Sequence, residues 1–178
     1  PYILLKWAQT ANGFIGYSQV TSDRKATLQI SNAVTKMLVH KLRAEYDAIL
    51  VGRNTEELEH PRLTVREWNG KNPQKIVLSS TYKNNGFVDE VLYVNSLQQL
   101  IDTINQRNNT EQKICSLIVE GGAHTLQSFI DAGLWDEIRI ETAPFTISNG
   151  IAAPHLPNNI DIVKKEFYGN TIVTYKRL

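Results

Sequence analysis

The stretch "LIVEGGAHTLQSFIDAGLWDE", residues 117–137, decides the fold. Its apolar start reads as a buried strand, and His124 to Ala132 reads as an apolar-periodic helix with Gly133 just past its end. Only Glu120-Gly121-Gly122 lies between them. A bare strand-to-helix turn needs one glycine at most, so two predict a close approach to the backbone where the helix begins. A helix N-terminus presents unpaired N–H groups and a partial positive charge, and so attracts phosphate. Gly121 and Gly122 remove the side chains that would hold a pyrophosphate off that backbone. The same spacing also serves tight packing alone, and there is no G-x-G-x-x-G fingerprint.

Working outward, "DAILVG" (47–52) followed by "RNTEELEHP" repeats the pattern: a buried strand, Gly52, and a brief helix stopped at Pro61. Thr55 offers a hydroxyl to a phosphate, and Arg53 a planar fork suited to one. A capped helix with an exposed arginine is the bland alternative. Two such turns on one sheet edge, where ligands of open α/β sheets bind, would grip the two ends of one dinucleotide.

Residues 2–11 read as a strand ended by Asn12-Gly13, and "SDRKATLQ" as a loop. A helix is expected over Ser31 to Asp47, with Val34, Met37, Leu38 and Leu42 at helical spacing and Ser31 or Asn32 as its cap. "KIVLSS" and "VLYV" are short strands with "TYKNNG" as loop between them, and Ser96 to Arg107 is a helix. "DEIRIETAP", "IDIVKKEFY" and "TIVTYKRL" follow as strands, the last two joined by "GN". Strands that alternate with helices and then follow one another predict an α/β sandwich, its parallel sheet carrying an antiparallel C-terminal edge.

At 178 residues the chain suits one domain. With 19 Lys+Arg against 18 Asp+Glu, it lacks the basic excess of a nucleic-acid binder. No apolar run is long enough to cross a bilayer. The lone Cys115, in "ICSLIV", reads as a packed strand residue. Four histidines and one cysteine lack metal-ligand spacing, so no metal is expected. Lys36, His40 and Arg43 recur on one helix face, either as solvated surface or as a phosphate clamp with Arg66.

Taken in order, "LKWAQTANGFIG", "HKLRAEYDAILVGRNT", "HPRLTVR" and "LIVEGGAHTLQSFIDAGLWDE" resemble the reductase domain of the RibD family, the bifunctional deaminase–reductases of riboflavin biosynthesis. The resemblance runs from Tyr2 to about Phe145. It implies a dihydrofolate-reductase-like three-layer α/β fold, with a mostly parallel central sheet, antiparallel C-terminal strands and helices on both faces. It also implies NADPH-dependent reduction of 5-amino-6-(5-phosphoribosylamino)uracil, by hydride transfer to C1′ of the opened ribose.

Carried over by motif, Lys6, Thr27 and Leu63 would meet the substrate, and Arg43 and Arg66 its phosphate or nearby oxygens. Glu120 would hydrogen-bond near the reacting end. Ala8 and Gln9 would line the nicotinamide side, with Gln29 and Ser31 in "QIS". Gly52, Thr55, Glu59, Gly121 and the run Gly122 to Ser128, including Ala123, His124 and Thr125, would contact the cofactor. Lys6 and Glu120 are the candidate proton donors, with water or the substrate's own groups as alternatives.

The chain departs from the family where Gln29 replaces the usual tryptophan, leaving Trp7 to supply an aromatic wall if one exists. Glu59-His60-Pro61 stands where "DDP" is usual. No deaminase zinc signature is present, so a single reductase domain cut from a longer chain is expected. The family further implies a cytoplasmic homodimer with no nucleic-acid or membrane partner. The rival readings are a reductase of the 2,5-diamino pyrimidinone, a dihydrofolate reductase, and a non-catalytic NADP-binding module.

Overall fold

Strand runs that are apolar at successive positions, rather than alternating, suit a sheet covered on both faces. The computed structural model, which describes residues 1–17, 28–82, 86–107 and 110–178, has this arrangement. In chain order its first elements are β1 (Tyr2–Gln9), β2 (Phe14–Gly16), α1 (Ala33–Glu45), β3 (Ala48–Gly52) and α2 (Arg53–Glu59). Then come β4 (Gln74–Leu78), β5 (Gly86–Val88), β6 (Val91–Val94), α3 (Leu97–Arg107), β7 (Ser116–Val119) and α4 (Ala123–Asp131). The chain closes with β8 (Glu137–Thr142), β9 (Ile151–Ala152), β10 (Ile160–Tyr168) and β11 (Asn170–Arg177).

The main sheet runs β10-β11-β8-β1-β7-β3-β4-β6-β5. Pairing is parallel from β8 through β6 and antiparallel for β8/β11, β10/β11 and β5/β6. The antiparallel C-terminal edge therefore stands as expected. On one face Leu100 and Ile104 of α3 and Leu126 and Phe129 of α4 are fully buried against Leu5, Leu50 and Leu117. Each such side chain contributes about 1.5–3 kcal/mol by leaving water. The opposite face buries Leu4, Ile49, Val77 and Ile118 beneath Leu42 of α1 and Leu63.

Several details correct the sequence reading. Val34 is 45% exposed, because α1 turns Thr35 and Leu42 inward instead. Its cap is Asn32, whose side chain accepts from the Thr35 N–H in a capping box. Cys115 is exposed, since it precedes β7 rather than lying within it. β5 falls partly in the expected loop, joined to β6 through Asp89 and Glu90, both at positive φ (45° and 67°). Such hairpin turns usually advertise themselves with Asn-Gly, and Asp-Glu gives no such signal. In the last hairpin Gly169 alone turns, at φ 80°, and Asn170 is already part of β11. The short pair β2/β9 was also unexpected.

Candidate functional site

Parallel strands that end together bring their following turns together. β3 and β7 are neighbours, so Gly52 and Gly121 meet. A Cβ on Gly121 would lie 2.9 Å from the Gly52 nitrogen and 3.0 Å from the Thr125 side chain. A Cβ on Gly52 would overlap the Thr125 hydroxyl. Packing of one turn on the other thus requires glycine at 52 and 121, the tight-packing role the sequence also allowed. Gly122 differs: its added Cβ would meet only the Thr55 hydroxyl, at an ordinary 3.5 Å. The Gly122 N–H donates to Thr55 Oγ1 (3.2 Å), locking the turns together. Gly122 caps α4 without a side-chain hydrogen bond. Ala123 and Thr125 are partly accessible in the first turn of α4, and His124 is exposed.

Arg53, at the start of α2, donates from Nη1 to Thr81 Oγ1 (3.0 Å), and Thr81 lies 3.4 Å from Ser79 Oγ. Sequence reading did not single out these hydroxyls. The available signal was "LSST", since Leu78 pairs with Gly52 and the following residues must emerge beside it. Glu59 is exposed at the far end of α2, roughly 9 Å along the axis from Arg53 by helix rise, so the two are not brought together.

Beside the glycine turns lies a charge cluster. Glu120 accepts from Arg43 Nη2 (2.7 Å) and Nε (3.4 Å), both side chains being largely buried. Burial pushes the Glu120 carboxyl up, but the Lys6 and Arg43 charges outweigh it and hold the group below the usual carboxylate range. Glu120 is therefore ionised at neutral pH. In that state it accepts hydrogen bonds rather than donating a proton.

The basic stripe of α1 does not survive as such. Lys36 donates to the Gln29 side chain (2.9 Å). His40 is buried at 5% exposure, and its Nδ1 accepts from the Arg66 N–H (3.1 Å). Burial first, then the Arg43 and Arg66 charges, push its pKa down, so it is neutral and no phosphate clamp. Arg43 is committed to Glu120, and the Arg66 side chain is exposed. The loop leading to Arg66 holds Leu63 buried at φ 53°, a left-handed conformation rare for a non-glycine residue.

Strand alternation divides the β1 residues. Lys6 and Ala8 face α1 with Leu4, whereas Trp7 and Gln9 face the other way, with Trp7 Nε1 donating to Gln9 Oε1 (2.8 Å). Trp7 is buried in the α3/α4 layer and cannot replace an aromatic wall at position 29. On the Lys6 face, a network also missed from sequence surrounds buried Glu141. Ser31 Oγ donates to it (2.7 Å), and Asn170 Nδ2 donates both to it (2.6 Å) and to the Ile30 carbonyl (3.0 Å). Ser31 is thus tied to β8 rather than free for a ligand. Thr27 lies outside the described residues.

Among the described residues no group of three or more His, Cys, Asp or Glu could hold a metal ion, and no helix is long and apolar enough to cross a membrane.

Solved structures define the class. The whole chain is similar to a Thermotoga maritima diaminohydroxyphosphoribosylaminopyrimidine deaminase/5-amino-6-(5-phosphoribosylamino)uracil reductase, at TM-score 0.79 and 22% identity over 57% of that chain. It is also similar, over 99% of its length and 96% of the other, to Enterococcus faecalis dihydrofolate reductase complexed with NADP(H), at TM-score 0.72 and 17% identity. The fold is dihydrofolate-reductase-like. Within that class, the model of the RibD C-terminal domain matches residues 1–167, and the chain belongs to this family. The Aquifex aeolicus riboflavin biosynthesis protein RibD is 30% identical over 85% of this chain and 49% of its own. The Methanothermobacter thermautotrophicus 2,5-diamino-6-ribosylamino-4(3H)-pyrimidinone 5′-phosphate reductase is 28% identical over 83% of this chain and 79% of its own. The chain thus spans about half the length of the RibD relative.

Proposed function

We propose that residues 1–178 form a reductase domain of riboflavin biosynthesis that uses NADPH to reduce the phosphoribosyl group of 5-amino-6-(5-phosphoribosylamino)uracil. One observation carries this reading: an ionised Glu120, paired with Arg43 and facing Lys6, adjoins the interlocked turns at Gly52 and Gly121. A charge cluster suited to a polar, phosphorylated ligand therefore borders a backbone cradle suited to a dinucleotide.

The residues present fit the cofactor. Gly122 leaves room at the uncapped start of α4, whose amides and the Thr55 hydroxyl would hold the diphosphate. Arg53, with Thr81 and Ser79 beside it, would bind the 2′-phosphate. When bound, NADPH supplies the hydride that C1′ receives. Glu120 accepts hydrogen bonds from the pyrimidine or ribose and orients the sugar. Lys6, on the same sheet face, gives the proton the ribose oxygen takes as the ring opens. Arg43 balances Glu120, and Arg66 reaches the phosphate from the loop past α2. The same reading makes the protein a cytoplasmic homodimer, as the resemblance implies.

A second reading, reduction of the 2,5-diamino pyrimidinone before deamination, is favoured by the Methanothermobacter reductase, which this chain covers over most of its length. Incubation with NADPH deuterated at the transferable position tests both. The proposal expects deuterium at C1′ of a ribityl product from the uracil. Deuterium only in the diamino product moves the assignment to the second reading, and deuterium in neither overturns both.

A further inference from the structure

Resting on the reading of Arg66 as a phosphate ligand, we propose that His40 is a positioning residue: the hydrogen bond its Nδ1 accepts from the Arg66 amide holds the loop that aims Arg66 at the substrate. Arg66 is exposed at the end of a loop that begins beyond α2, and its guanidinium needs a fixed base if it is to recognise a phosphate. The backbone supplies one anchor at Leu63, buried at φ 53°. The second is His40, buried on α1 three residues before Arg43, with Nδ1 3.1 Å from the Arg66 nitrogen. A hydrogen bond to the Thr64 backbone also engages the imidazole. One ring therefore grips the loop at Thr64 and Arg66, and couples it to the helix that carries Arg43.

Only the neutral ring can do this, because a protonated imidazole has no acceptor. The groups facing it are Arg43 from its own helix, Arg66 and Glu67 from the loop, and Glu120 from the end of β7. Burial, Arg43 and Arg66 oppose protonation, while Glu67 and the Thr64 backbone favour it. As pH falls through the His40 transition, the Arg66 amide loses its acceptor and the loop is released. Substrate affinity then weakens while the chemistry, with Lys6 as proton donor, is largely retained.

The test compares wild type, His40→Ala and His40→Asn, whose side-chain oxygen occupies nearly the place of Nδ1. Two quantities are read: KM against kcat for the phosphorylated pyrimidine, and hydrogen exchange at the Arg66 amide. His40→Ala is expected to raise KM about tenfold, to leave kcat within roughly twofold, and to speed exchange at Arg66 by a similar factor of ten. His40→Asn restores both, and it lacks the rise in KM expected of the wild type on the acid side of the ordinary imidazole range, where the lowered His40 pKa places it. Unchanged exchange in His40→Ala overturns the proposal, as does faster exchange with unchanged KM. Should His40→Ala not fold, the acid limbs of wild type and His40→Asn decide, and identical limbs overturn it. If the wild type reduces neither pyrimidine, the proposed function fails separately. Exchange at the Arg66 amide then still decides whether His40 holds the loop.

Discussion

Replacing Arg43 with alanine removes the partner of a carboxylate that cannot easily reach water. In the Arg43–Glu120 pair the side chains are only 13% and 9% exposed, joined by contacts of 2.7 and 3.4 Å. Breaking a buried pair from one side costs about 3–5 kcal/mol, since the remaining charge is stranded. Lys6 still faces Glu120 and shares the load, which puts the expected loss near the lower figure, about 3 kcal/mol. For a chain of this size that lowers Tm by roughly 6–12 °C. Glu120→Gln in the same background removes the stranded charge and should recover about 2 kcal/mol, an interaction energy typical of contacting residues. Thermal and urea melts of wild type, both single variants and the double variant measure the cycle. A loss below about 1 kcal/mol for Arg43→Ala, with additive effects in the double variant, would refute the buried-pair argument.

Gly121→Ala forces a Cβ against the Gly52 backbone, and should cost stability as well as at least tenfold in NADPH affinity, read by melts and cofactor fluorescence. Arg53→Ala should weaken NADPH by about tenfold and leave NADH unchanged; equal losses for both would remove Arg53 as the 2′-phosphate reader. Asn170→Ala takes a donor from buried Glu141 and from the Ile30 carbonyl, and should destabilise by about 1–3 kcal/mol in urea. Stability should fall in acid in two steps. His40 has its pKa lowered by folding, so the unfolded chain protonates first and stability declines below about pH 6.5. Glu120, likewise lowered, contributes stability above about pH 4.3 that is lost as pH falls through its folded value. Urea midpoints against pH should follow this course, and His40→Asn should lack the upper step.

Much of this was legible in the chain because both glycine turns follow uniformly apolar strands, and burial on both faces fixes those strands in the sheet centre. The proposed cofactor contacts at Gly52, Thr55 and Gly122 follow from that placement. Pairing partners were less visible. Nothing local in "HKLRAEYD" announces that Arg43 is consumed by a carboxylate 77 residues away, or that His40 faces inward to receive an amide from the Arg66 loop. Asn170 looked like a turn residue, yet its side chain is spent on Glu141, a contact only the antiparallel docking of β11 on β8 creates. The alternative of Trp7 as an aromatic wall for position 29 meets a simpler obstacle: strand alternation puts it on the opposite face from Lys6.

The most direct test of the central claim follows nicotinamide absorbance while NADPH or NADH is mixed with freshly deaminated phosphoribosylaminouracil. The account predicts oxidation of NADPH well above NADH, with one ribityl product formed per cofactor consumed. NADPH that binds but is oxidised neither with this pyrimidine nor with its diamino precursor would contradict it.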